Sequence, residues 1–120
     1  MTDQPSLLEL VGAVKNFLEH HAMPELKGQT AFHARVAANA LAIVERELTL
    51  GPKAMAEEKA RLVALLGGDG TLDELNRRLC AHIREERVGL DTPGLAAHLE
   101  QTARDQLAIN QPDYSGLNAA

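Results

Sequence analysis

The sequence predicts an all-α fold, a single-domain bundle of about five helices with a buried central helix at residues 30–50. Three observations predict it. Leu and Ala dominate an apolar fraction of 45%, with two Phe, one Tyr and no Trp, and such a composition fills the space between helices better than the inside of a sandwich. Apolar residues recur at helical spacing along most of the chain. Two capping boxes and a Thr-Pro pair mark helix starts. With 120 residues the chain fits one domain, large enough to bury a core without disulfides or a structural metal.

Ser6 opens the first helix as a cap, with Glu9 three residues on, and Leu7, Leu10, Val11, Val14, Phe17, Leu18 and His21 follow at helical spacing. Met23-Pro24 should end it. The central helix, TAFHARVAANALAIVERELTL, follows Gly28: Phe32, Val36, Ala40, Ile43, Val44 and Leu50 share a broad face with His33 and Ala37, so this face is expected in the core. Gly51 is expected to stop that helix and Pro52 to start a third, running to Leu66 with Met55, Ala56, Leu62, Val63 and Leu66 inward and a Glu57–Arg61 pair facing water. Gly67-Gly68-Asp69-Gly70 breaks it. Thr71 and Glu74 form the second capping box, ahead of Leu72, Leu75, Leu79, Cys80 and Ile83, with Cys80 expected as a small buried hydrophobe. Thr92-Pro93 should begin the fifth helix, with Leu95, Leu99, Ala103 and Leu107 as its buried stripe. Residues 110–120 form a partly irregular tail, from which Tyr114 should fold back.

Several activities lose their footing here. Net charge is −5 and no basic stripe with interleaved aromatics exists, so no nucleic-acid partner is expected. A single Cys80 makes no intramolecular disulfide, and MTDQPS lacks the basic and apolar regions of a signal peptide. The longest apolar-leaning run falls short of the ~20 residues that span a bilayer, so we expect a cytoplasmic location and no membrane. GGDGT followed by Leu is similar to the nucleotide-binding loop of diacylglycerol-kinase-like lipid kinases, but a helical pattern stands where that family has a strand, so a plain linker is expected. No Glu has a His three residues later, as di-iron bundles require. No cofactor and no metal site is expected, and nothing in the chain rises to a reaction.

The central helix holds the best candidate polar residues. Arg35, Asn39 and Arg46 fall on one stripe, where two guanidinium groups and an amide would hold a carboxylate or phosphate, with His33 nearby as a further ligand or base. Read structurally, the arginines pair with Glu on adjacent helices, Asn39 fixes register and His33 is a hydrogen-bonded core residue. We favour the structural reading.

The runs FHARVAANALAIVERELTLGP, LNRRLCAHIRE and LAINQPDYS resemble a bacterial family known as domain of unknown function 6285, over nearly the whole chain. The resemblance implies a small soluble helical domain found beside or fused to aminoglycoside-phosphotransferase-like proteins and near acyl-CoA dehydrogenase genes. It assigns no catalytic residue. The expectation is therefore an accessory, non-catalytic domain that binds a phosphotransferase-like partner in acyl-CoA or related acid metabolism. The alternative is a small-anion or metabolite-binding, or enzymatic, domain using Arg35, Asn39, Arg46 and His33. An exposed apolar patch would mark the first, and a concave pocket with convergent polar groups the second.

Overall fold

The computed structural model describes residues 4–118. Among these there is no strand, and there are four α-helices: α1 (Leu7–Phe17), α2 (Gly28–Leu66), α3 (Leu72–Arg84) and α4 (Leu95–Asn110). The expected second and third helices are one. Helix α2 runs for 39 residues with Pro52 inside it, so the Gly51-Pro52 pair does not act as a stop. Gly51 removes part of the obstacle: the ring of a proline clashes with the Cβ of the residue before it, and glycine has none. The chain divides into two compact units, Met1–Leu50 and Gly51–Ala120.

In the first unit α1 starts as its sequence demands. The Ser6 hydroxyl accepts from the Glu9 amide at 3.1 Å, and the Glu9 carboxylate accepts from the Ser6 amide at 2.9 Å. These bonds hold the Glu9 carboxyl below its ordinary value, the backbone bond to Ser6 contributing most. A π turn, Leu18–Ala22, and a 3-10 turn, Met23–Glu25, carry the chain out of α1. Against α2 the helix presents Gly12 and Lys15: a Cβ at Gly12 would lie 3.3 Å from Glu45 Oε2, and Lys15 Nζ donates to Glu45 Oε1 at 2.7 Å. The Glu45 bond raises the Lys15 pKa, outweighing partial burial, while Arg46 pulls the other way.

The expected core face of the central helix is not buried. Phe32, Val36, Val44 and Leu50 are exposed, and the buried residues of this stretch are Ala34 and Ala38. At roughly 100° per residue the two alanines lie on the far side from Phe32. Alanine lets a packed neighbour approach closely, which a Phe or Val cannot, and pattern alone does not reveal which apolar face finds a partner.

The core of the second unit is built from leucines. Leu62 of α2 and Leu75 of α3 are 0% exposed, and Leu79 and Leu95 complete a cluster flanked by Val63, Leu66, Leu72 and Val88. Gly67 closes α2 in the left-handed region at φ 75°, its amide donating to Val63 O at 2.8 Å. Thr71 and Glu74 then form the second capping box, with bonds of 2.8 and 3.1 Å. A helix thus precedes the GGDG loop, where the kinase-like resemblance implies a strand.

Four further expectations change. Cys80 is exposed, one position round α3 from buried Leu79. Helix α4 begins two residues late, with Gly94 as its cap at φ 88°, because the Thr92 hydroxyl accepts from Gly89 N at 2.8 Å instead of capping the helix. Its buried residues are Leu95, His98 and Ile109, whereas Leu99 is 46% exposed. In the tail Arg104 Nη1 donates to Leu117 O at 2.7 Å, and Tyr114 stays exposed.

Candidate functional site

The four residues proposed from sequence all lie along α2. His33, Arg35 and Asn39 are exposed along α2. Arg46 is half-buried and lines a shallow groove of the first unit with Lys15, Glu45 and Thr49. The positive charge of Lys15 there is already answered by Glu45 at 2.7 Å. No group of three or more His, Cys, Asp or Glu side chains converges as a metal site among the described residues.

The first unit shows instead an apolar seam. Leu7, Leu10, Val14 and Phe17 of α1 are all exposed, from 49% at Leu10 to 69% at Leu7. Their three-four-three spacing is the repeat of a coiled-coil seam. On α2, Phe32, Val36, Asn39, Ile43, Arg46 and Leu50 repeat by four and three, and Phe32 is 57% exposed.

A concave site lies in the second unit. A groove of about 710 Å³ runs between α2 and the start of α4, with Ala60, Ala64, Leu65, Pro93 and Ala97 as apolar walls and Glu57, Arg61, Gly94, His98 and Gln101 as its polar part. Its size is ordinary for a ligand pocket. Arg61, expected to pair outward with Glu57, turns to α4: its Nε donates to His98 Nδ1 at 2.9 Å and its Nη2 to Thr102 Oγ1 at 3.1 Å. His98 and Thr102 are four residues apart and therefore on one helix face. His98 is 2% exposed.

An imidazole nitrogen that accepts from a guanidinium must be unprotonated, which places the ring proton of neutral His98 on Nε2. Burial pushes the His98 pKa down, the Arg61 charge adds to this, and Glu58 opposes it. Glu58 is itself engaged by Asn76 Nδ2 at 3.1 Å. Because the folded pKa lies below the ordinary 6.5, this network stabilises the fold fully above about pH 6.5. Stability is lost as pH falls, since the unfolded chain takes up the proton first. Urea unfolding at pH 7.5 and 5.5 should show wild type losing more stability than His98→Gln; equal losses would mean the imidazole is not held neutral.

Sequence reasoning missed Arg61, His98 and Thr102. The available signal was the spacing of His98 and Thr102 between Leu95 and Ile109, which continues one helical face through polar residues.

No helix among the described residues is long and apolar enough to cross a membrane. No curated protein and no solved structure matches the chain. The family described as Domain of unknown function (DUF6285) matches residues 24–114, a span that begins at Pro24 and holds all of α2, α3 and α4. By that match the chain belongs to the DUF6285 family.

Proposed function

We propose that this domain is a non-catalytic accessory module that docks a protein partner through the exposed apolar seam of α1. The observation that carries the reading is the heptad spacing of Leu7, Leu10, Val14 and Phe17 on a face open to solvent. A seam of that period accepts the knobs of a facing helix, and large exposed apolar side chains in register are unfavourable without one. The partner class is the one the family resemblance implies, a phosphotransferase-like protein, and in this reading it acts in the cytoplasm on an acyl-CoA or related acid. Helix-in-groove recognition places the affinity in a few apolar anchors.

The test is calorimetric titration of the full chain with a purified phosphotransferase-like protein. Saturable binding is expected, weakened about tenfold or more by Val14→Glu, which puts a charge in the middle of the seam. Absence of binding, or equal binding by Val14→Glu, would sink the reading. Sedimentation of the protein alone should show a monomer. A dimer abolished by Val14→Glu would mean that a second copy of this chain, not an enzyme, covers the seam.

A further inference from the structure

The groove of the second unit contains a cation that is held in place but not neutralised. Arg61 is oriented by His98 Nδ1 and Thr102 Oγ1. A hydroxyl carries no charge, and an imidazole accepting at Nδ1 is neutral. Structural arginines at this level of burial are usually fixed by carboxylates, which fix orientation and cancel charge together. Here the two jobs are separated. Glu58, one turn back on α2, is occupied by Asn76, and no ion pair joins Glu57 to Arg61 among the described residues.

The bonds to His98 and Thr102 use one edge of the guanidinium, formed by Nε and Nη2. The other edge, Nη1 with the second N–H of Nη2, remains. No sealed side-chain nitrogen lacks a partner among the described residues, so Nη1, which makes no bond within the protein, is on the accessible side of Arg61. Two parallel N–H groups match the two oxygens of a carboxylate.

A second, independent feature points to the same charge. Helix α4 has sixteen residues and begins at this groove with Gly94 as its cap, and no side chain caps it. Thr92, the residue that would ordinarily do so, accepts from Gly89. The Leu95 amide donates to Thr92 O at 3.2 Å, while the amides after it in the first turn and the partial positive charge of the helix end favour an anion.

The remaining walls set the rest of the ligand. Ala60, Ala64, Leu65 and Ala97 are apolar, so the bound molecule has an apolar body behind its charged end. Glu57 at the rim opposes a second negative charge. We infer that this groove binds a monocarboxylic acid with a short apolar body, its carboxylate forked on Arg61 beside the start of α4. His98 is a positioning residue that holds the guanidinium without discharging it.

Octanoate, octan-1-ol and octyl phosphate are the probes, titrated into the full-length protein at pH 7.5 and followed by amide resonances. Octanoate should give saturable shifts confined to residues 57–65 and 93–102. Octan-1-ol should bind at least about tenfold more weakly, the ~1.4 kcal/mol expected at minimum from one charge-assisted interaction. Arg61→Met should lose the octanoate response. Because that variant also removes the bonds to His98 and Thr102, Arg61→Lys provides a milder test: it keeps the charge, loses the fork, and should weaken octanoate about tenfold. Ala64→Phe, at an exposed wall position, should block the groove with the network intact. The inference is overturned by an absence of saturable shifts up to about 10 mM, a weak limit for so small a ligand. It is equally overturned by octan-1-ol binding as well as octanoate, by undiminished binding in Arg61→Lys and Ala64→Phe, or by tighter binding of octyl phosphate.

Discussion

Replacing Leu62 with alanine should lower the stability of the protein by about 3–5 kcal/mol, the upper part of the range for buried Leu→Ala changes. Leu62 is fully buried and belongs to a cluster whose other buried members, Leu75, Leu79 and Leu95, come from α3 and α4. The change removes apolar contacts to two other helices at once, and the leucines around it reach the void only by leaving their own rotamers. A loss of this size is a large part of a typical domain's stability and should depress the melting temperature by about 10 °C or more. Leu99→Ala provides the comparison. Leu99 is nearly half-exposed on α4, so the same truncation there should remain below about 1 kcal/mol. Urea unfolding followed by circular dichroism measures both. If Leu99→Ala were the more damaging, α4 would pack by the face its apolar pattern suggests, and the inward position of His98 would be wrong.

That comparison shows what periodicity conveys. Leu62, Leu75, Leu79 and Leu95 were all legible as inward residues, and both capping boxes formed where Ser6–Glu9 and Thr71–Glu74 placed them. A cap is local, and its donors and acceptors lie within four residues, so sequence contains the whole interaction. The face of α4 was not legible in the same way. Leu99 outranks His98 on any apolar scale, yet His98 is buried because Arg61, 37 positions away in sequence, satisfies its Nδ1. The hydrogen bond that makes a polar residue tolerable in a core is a long-range fact. On α2 the error ran the other way: the Phe32–Leu50 stripe was legible as apolar, but apolar pattern marks a face that seeks cover, not one that has it. Of the candidate site, the stripe of Arg35, Asn39 and Arg46 was a correct statement about helical geometry. It did not indicate the groove of the second unit, because that depends on α4 meeting α2 at Arg61.

Pro52 gives the second large expected effect, in the opposite direction: Pro52→Ala should stabilise the protein by about 1–3 kcal/mol. Within a continuous α2 the amide of residue 52 would donate to the carbonyl of Leu48, and proline has no N–H to give. Its ring also crowds that carbonyl. The local sequence reduces these penalties without removing them. Gly51 takes away the Cβ that would meet the ring, and the Thr49 hydroxyl donates to Glu45 O at 2.8 Å, a back-bond of the kind that lets a helix bend away from the ring. Neither restores the donor to Leu48. Pro52 is exposed, so replacing its ring with a methyl group forfeits little packing, while alanine supplies the N–H and the best helix propensity. Thermal melts of wild type and Pro52→Ala decide the matter, with a higher midpoint and an equal or greater helical signal expected for the variant. A lower midpoint would show that the ring makes a native contact worth more than a helical hydrogen bond. An unchanged midpoint would mean that α2 does not continue through Gly51-Pro52 in solution, the arrangement that the glycine-proline pair suggests on sequence alone.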